Sequence, residues 1–147
     1  MTKSDENLNF RTPKGYDITE NPTVTPAMED YLEMIRRMSD GVVHVNTLAK
    51  MLHVKPSSAS KMVSHLKERG LICSEKYGLI QLTEEGMRQG DYLLQRHDII
   101  HRFLCRINGS EDELVQTERI EHFLDERTVR NLEKLLEAWK DTGALPL

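Results

Sequence analysis

The stretch that decides the fold is "VKPSSASKMVSHLKERGLI", residues 54–72. After a tight turn around "HVKP", the run "SSASKMVSHLKERG" reads as a helix, with Ala59, Met62, Val63 and Leu66 recurring at helical spacing and Gly70 as its stop. Upstream, "VVHVNTLAKMLHV" (42–54) reads as a short extended entry followed by a helix that turns Leu48, Ala49 and Leu52 inward. Downstream, "LICSEKYGLIQLT" (71–83) has two short strand-like runs around a polar tip at Tyr77-Gly78, the pattern of a hairpin. Helix, turn, helix and hairpin in that order spell a winged helix-turn-helix.

Outward from this centre, "TPAMEDYLEMIRRM" (25–38) opens on Thr25 and Pro26, a helix-start signal, and Glu29 and Asp30 suit the positive end of the helix dipole. Met28, Tyr31, Leu32, Ile35 and Met38 form its apolar stripe, and Asp40-Gly41 ends it. Residues 84–108 have no proline and predict one linker helix ~37 Å long, capped by Thr83 and weakened in its first half by Gly86 and Gly90. Past Asn108-Gly109 come a helix through "EDELVQTERIEHFL" (111–124) and another through "ERTVRNLEKLLEAWK" (126–140). The stripe Val129, Leu132, Leu136 and Trp139 on the last suits burial against a second subunit as well as against its own chain. The expectation is a mainly α protein: a flexible tail (1–24), a winged helix-turn-helix domain (25–83), a linker helix (84–108) and a helical metal-binding and dimerisation domain (109–147).

Composition narrows the function. The 147 residues carry a net charge of −4, unevenly spread. Residues 25–82 hold eight basic and six acidic side chains, and residues 83–147 hold nine and fourteen. From Lys50 to Arg69 the charges are Lys50, Lys55, Lys61, Lys67 and Arg69 against Glu68 alone, a basic footprint on an acidic chain. In a helix-turn-helix the second helix enters the major groove by its first turns. Those turns present Ser57, Ser58, Ser60 and Lys61, short or cationic groups that bond phosphates or base edges, with Lys55, Lys67 and, in the wing, Lys76 placed to neutralise phosphates. No apolar run reaches the roughly 18 to 20 residues of a membrane span, and the first 24 residues lack a signal peptide. A cytoplasmic protein is expected. Cys73 and Cys105 are far apart and read as small, buried or half-buried thiols.

A second group of residues asks for different chemistry. Asp30 and Glu33 are i, i+3 on the first helix, His97 sits on the linker helix, and Glu118, Glu121 and His122 fall at i, i+3 and i+4 on a later one. Singly, such residues are usually solvated or serve a helix dipole. Together, four carboxylates and two imidazoles on three helices can make a site of mostly oxygen ligands, suited to a hard or borderline divalent cation such as Mn²⁺, and two nearby sites sharing carboxylates would use all six.

The motifs "PAMEDYLEMI", "VKPSSASKMVSHLKERGLI", "LTEEG", "RHDII" and "ERIEHFL" resemble the diphtheria-toxin-repressor superfamily, in particular its manganese transport regulator branch, over residues 25 to about 140. The resemblance implies that Asp30, Glu33, His97, Glu118, Glu121 and His122 hold the metal. It further implies a homodimer that binds double-stranded operator DNA, carries two Mn²⁺ per subunit, and represses manganese uptake genes when loaded. Fe²⁺, Co²⁺ or Zn²⁺ are the other candidate ions, and no organic cofactor, membrane association or enzymatic activity is expected. Iron-responsive relatives place Met at the position of Asp30 and Cys at that of Glu118, so oxygen at both favours Mn²⁺ by ligand softness. This chain departs from the branch at Arg119, at Phe123 and at His101, which lies i+4 from His97 and reads as a surface histidine or an auxiliary ligand. Three other readings stand beside the manganese one: an iron-responsive repressor, a winged-helix repressor answering to an organic effector, and a di-metal hydrolase or oxidase.

Overall fold

The computed structural model describes residues 24–38, 40–140 and 143, so the expected N-terminal tail lies outside the described residues except for Val24. Helix α1 (Pro26–Arg37) is followed by strand β1 (Val42–His44), α2 (Val45–Met51), α3 (Pro56–Glu68), β2 (Ile72–Ser74), a 3₁₀ turn (Lys76–Gly78) and β3 (Leu79–Leu82). Then come α4 (Glu84–Asn108), α5 (Leu114–Ile120), a second 3₁₀ turn (Glu121–Phe123) and α6 (Glu126–Trp139). The architecture is mainly α, a winged helix-turn-helix joined through a long helix to a helical unit.

Local chemistry accounts for the boundaries. Thr25 caps α1 by accepting the Met28 N–H at 3.2 Å, and Pro26 takes the first turn, where its missing N–H costs nothing. Thr83 caps α4 by accepting from Gly86, and its hydroxyl also donates to the Gly70 carbonyl at 2.6 Å, tying the end of α3 to the start of the linker. Gly109, left-handed at φ 59°, ends α4 and donates to the Cys105 carbonyl. The sheet is antiparallel in the order β1-β3-β2, with Val43 opposite Ile80 and Cys73 opposite Gln81.

Two cores hang on α4. The first packs Leu32 and Ile35 of α1 with Leu48, Ala59, Leu66, Ile80 and, from α4, Leu93. The second packs Ile99, Ile100 and Leu104 with Val129, and Ile120, Leu124, Leu132 and Leu136 close over it. The α6 stripe is thus turned at least in part onto its own chain. Between Leu93 and Ile99 the helix crosses a seam, and Arg96 and His97 sit in it.

Three expectations need correction. Cys73 is exposed on β2 rather than buried, because its position on the pleat faces outward, while Cys105 is half-buried as expected. The α5 helix is shorter than the periodicity predicts: it begins at Leu114 and tightens to 3₁₀ at Glu121. Gly86 and Gly90 do more than weaken α4, since both are buried points of close approach. A Cβ on Gly86 would lie 2.0 Å from the Leu71 carbonyl oxygen, and one on Gly90 would lie 2.8 Å from Arg36 Cβ. One turn of contact is thereby set, and Arg36 Nε bonds Asp91 at 2.7 Å beside it.

Alanine in a helix interior is intrinsically favoured over glycine by about 1 kcal/mol. At Gly86 the obstacle is backbone, which cannot rotate away, so Gly86→Ala is expected to lower the thermal midpoint by several degrees despite that gain; an unchanged or raised midpoint in a calorimetric scan would contradict the packing described.

Candidate metal centre and DNA-reading face

The seam on α4 collects titratable side chains from three segments. Arg96 and His97 come from α4, Glu29, Asp30 and Glu33 from α1, and Glu121 and His122 from the 3₁₀ turn after α5. Glu121 lies deepest, 1% exposed, with Oε2 at 2.8 Å from His97 Nδ1 and Oε1 at 3.8 Å from His122 Nε2. His122 Nε2 is 3.0 Å from Asp30 Oδ1 and its Nδ1 is 3.1 Å from Glu29 Oε1. Glu33 Oε1 approaches His97 Nδ1 at 3.9 Å and accepts from Arg37 at 3.0 Å.

Two trios therefore converge with ligand atoms within 4.8 Å of one another: Asp30, Glu121 and His122, and Glu33, His97 and Glu121. Glu121 belongs to both. Five of the six residues expected to bind metal are brought together. Glu118 is not in either trio; it is exposed and lines, with Asp30, Glu33, Met34 and His97, the cleft that leads to the seam. Grouping Glu118 with Glu121 and His122 by i, i+3, i+4 spacing assumes one continuous α-helix, and the helix changes period at Glu121.

Charge in the seam is incompletely compensated. Glu121 Oε1 is buried with no hydrogen-bond partner among the described residues, an arrangement that costs about 1–3 kcal/mol or more for a charged group. Burial, and after it the charge of Glu121, raises the Glu33 carboxyl above its ordinary value, with Arg37 pulling the other way. The hydrogen bond to Glu121 raises His97 against the effect of burial. His122 is pushed up to about 10, first by its bond to Asp30 and then by its bond to Glu29. The protons on these two imidazoles stand where cationic charge is wanted. Donor chemistry fits a divalent cation: carboxylate oxygens and imidazole nitrogens, an orphaned buried oxygen pointing among them, and neither cysteine in the trios.

Glu29 and Arg96 contact His122 beside the trios, and the sequence pattern did not assign either to the site. Arg96 is 4% exposed on the helix face that also buries Leu93 and Ile100, three before it and four after. A cation interrupting an apolar stripe was the available signal. His101 is half-buried and in neither trio: its Nε2 accepts the Glu113 backbone N–H at 3.2 Å, and its ring stacks on His97 at 6.4 Å.

The residues expected to contact nucleic acid are all exposed. Ser57, Ser58, Ser60, Lys61 and Lys67 stand on α3 opposite buried Ala59, Val63 and Leu66, Lys55 is its N-cap residue, and Lys76 is in the wing turn. Tyr77 beside it, at φ 63°, is 89% exposed. No helix among the described residues is long and apolar enough to cross a membrane.

Comparison with known proteins gives a consistent result. Residues 23–80 match the family model for the iron dependent repressor N-terminal DNA binding domain, and residues 83–142 match that for its metal binding and dimerisation domain. An HTH-type transcriptional regulator MntR from Oceanobacillus iheyensis is 37% identical over 121 residues, covering 80% of this chain and 82% of that protein. The protein of the same name from Bacillus subtilis is 35% identical over 124 residues, covering 82% and 87%. Among solved structures, the manganese regulator SloR superposes with a TM-score of 0.66 at 28% identity, over 75% of this chain and 53% of that one, so this chain spans about half the length of SloR.

The raised pKa values of His97 and His122 give the metal-free protein a definite pH response. Stability from these ion pairs is fully present below the unfolded histidine value of about 6.5 and is lost as pH climbs toward about 10, the folded value of His122. In chelator, the thermal midpoint is expected to fall across that window, and to fall less in His122→Gln. A midpoint rising with pH there would contradict the assigned ion pairs.

Proposed function

The chain belongs to the iron-dependent repressor family, and from that footing we propose that it is a Mn²⁺-responsive transcriptional repressor that binds operator DNA as a homodimer. Residues 25–83 are taken as the DNA-reading unit, 84–108 as the linker, and 109–147 as the part that dimerises and completes the metal site. The observation that carries the reading is Glu121: one buried carboxylate shared by two trios that draw on the first helix, the linker helix and the 3₁₀ turn. A shared carboxylate supports two ions per subunit. Asp30, Glu33, His97, Glu121 and His122 are the proposed ligands, with Glu118 at the mouth of the cleft completing the set. Oxygen-rich donors favour Mn²⁺ by softness, although Mn²⁺ stands lowest in the Irving–Williams order, so geometry and ion supply must contribute to selectivity. The proposed site of action is the cytoplasm, where operator DNA is read, and the role is regulatory rather than enzymatic, in keeping with relatives named as transcriptional regulators.

A bound divalent cation supplies the positive charge that the seam lacks. The protein's own side chains convert that charge into a change of position. Without compensation, Asp30, Glu33 and Glu121 repel one another at the seam, opposed there by protonated histidines and arginines and, away from it, by the apolar packing of α1 with Leu93 of α4. With compensation, α1 is clipped to α4 and to the 3₁₀ turn. Because α1 shares a core with α3, the clip fixes the reading helix relative to the linker and, through a dimer, relative to its counterpart. Two reading helices must match half-sites roughly 34 Å apart. Ser57, Ser58, Ser60 and Lys61 face base edges and phosphates, while Lys55, Lys67 and Lys76 contact the backbone. A separate cleft, lined by Glu29, Arg88, Asp91, Tyr92, Glu126 and Arg130, is too heavily charged to favour an apolar organic effector.

Fluorescence anisotropy on a candidate operator, titrated with Mn²⁺, Fe²⁺, Co²⁺ and Zn²⁺, tests this. Mn²⁺ is expected to tighten binding about 5- to 150-fold, a coupling of roughly 1–3 kcal/mol. Glu121→Gln should bind DNA at the metal-free level whatever the Mn²⁺ concentration; a full Mn²⁺ response in that variant refutes the proposed site.

A further inference from the structure

Beside the proposed ligands lies a set of contacts that the metal reading does not use. Arg96 Nη1 donates to Glu29 Oε2 at 3.0 Å, Glu29 Oε1 faces His122 Nδ1 at 3.1 Å, and Arg96 Nη2 is within hydrogen-bond distance of the same nitrogen at 3.3 Å, so Nδ1 either donates to the nearer Glu29 or accepts from the more distant Arg96. All three side chains are largely buried, Arg96 at 4% exposure. Glu29 directly precedes Asp30, and Arg96 directly precedes His97. Each helix thus offers two adjacent residues to the seam, one to the trios and one to this contact.

We infer that Glu29 and Arg96 are positioning residues for the metal site: Arg96 holds Glu29, and Glu29 holds the Nδ1 proton of His122, so that His122 presents Nε2 toward Asp30. This rests on the function proposed above and deepens it. A neutral imidazole has one donor and one acceptor nitrogen, and the partner of one decides which atom is free to bind a cation. A carboxylate on Nδ1–H fixes that choice and orients the ring. Glu29 is itself kept from competing as a ligand, because its second oxygen is occupied by a buried guanidinium in a charge-assisted bond.

The arrangement also bears on how α1 is held. Arg96 pulls Glu29 toward α4 with or without a cation, so α1 is pre-aligned on the linker and the trios assemble from a restricted set of positions. Losing either partner alone leaves the other as a buried, uncompensated charge, which endangers the fold. Paired apolar replacement removes the contact without that liability.

The test therefore uses the full chain in two forms: wild type and the double variant Glu29→Leu with Arg96→Met. Mn²⁺ affinity is read directly from the paramagnetic resonance signal of free ion. Partners that hold the far nitrogen of a metal-binding histidine typically contribute about 10- to 100-fold in affinity, so the double variant is expected to bind Mn²⁺ more weakly by that factor. In the Zn²⁺-loaded wild type, ¹⁵N spectra of labelled histidine should show His122 protonated at Nδ1.

A folded double variant with wild-type Mn²⁺ affinity overturns the inference, as does a Zn²⁺-loaded wild type whose His122 carries its proton on Nε2. Should the double variant fail to fold, the wild-type spectrum still decides. A wild type that binds no Mn²⁺ at all overturns the proposed function instead, which separates the two failures.

Discussion

Much of this structure depends on one buried charge. Glu121 carries a carboxylate into the seam between two apolar cores, where it is 1% exposed and one oxygen has no partner among the described residues. A charge in that position must be compensated, and two imidazoles stand against it: His97 on α4 and His122 beside it, which also faces Asp30 of α1. Protons on the two imidazoles do this in part. The same positions are those from which a divalent cation would draw its ligands, so proton and cation compete for one set of lone pairs.

The seam exists because α4 is long and because its two halves serve different cores. Leu93 faces the first and Ile99, Ile100 and Leu104 face the second, and the stripe is broken between them by Arg96 and His97. Gly90 lets Arg36 of α1 come nearer to α4 than a side chain would allow, and Gly86 does the same for the Leu71 carbonyl that follows α3. In turn, α1 packs against α3 through Leu32, Ile35, Ala59 and Leu66. Close-packed interiors transmit displacement rather than absorb it. A change in how α1 is held at the seam is therefore felt at the exposed face of α3, where the serines and lysines stand.

Much of this was legible in the chain itself. The α3 helix announces itself by apolar spacing, its basic face by a run of five cations against Glu68, and α4 by an uninterrupted periodic stretch closed by Asn108-Gly109. Asp30, Glu33, His97, Glu121 and His122 could be picked out by residue type and motif. Other features were not legible, and each failure has a cause. Cys73 followed a statistical preference for burial that its outward place on the strand overrides. That Glu118 stands in the cleft rather than in either trio could not be read, because the helical period that groups it with Glu121 and His122 ends at Glu121. Arg96 and Glu29 were passed over because a charged residue beside a more conspicuous neighbour reads as solvated until burial is known.

What the sequence determined by itself was the order and kind of the elements, the basic helix and the inventory of oxygen and nitrogen donors, because these follow from local periodicity, capping and side-chain chemistry. Tertiary structure decided which donors meet. Asp30 and His122 are far apart in the sequence, and nothing local makes His122 Nε2 approach Asp30 Oδ1 to 3.0 Å rather than solvent. That distance follows from the seating of α1 on α4, where Arg36 comes down on Gly90, and from the turn that tightens at Glu121, contacts between remote segments that only a packed chain can define.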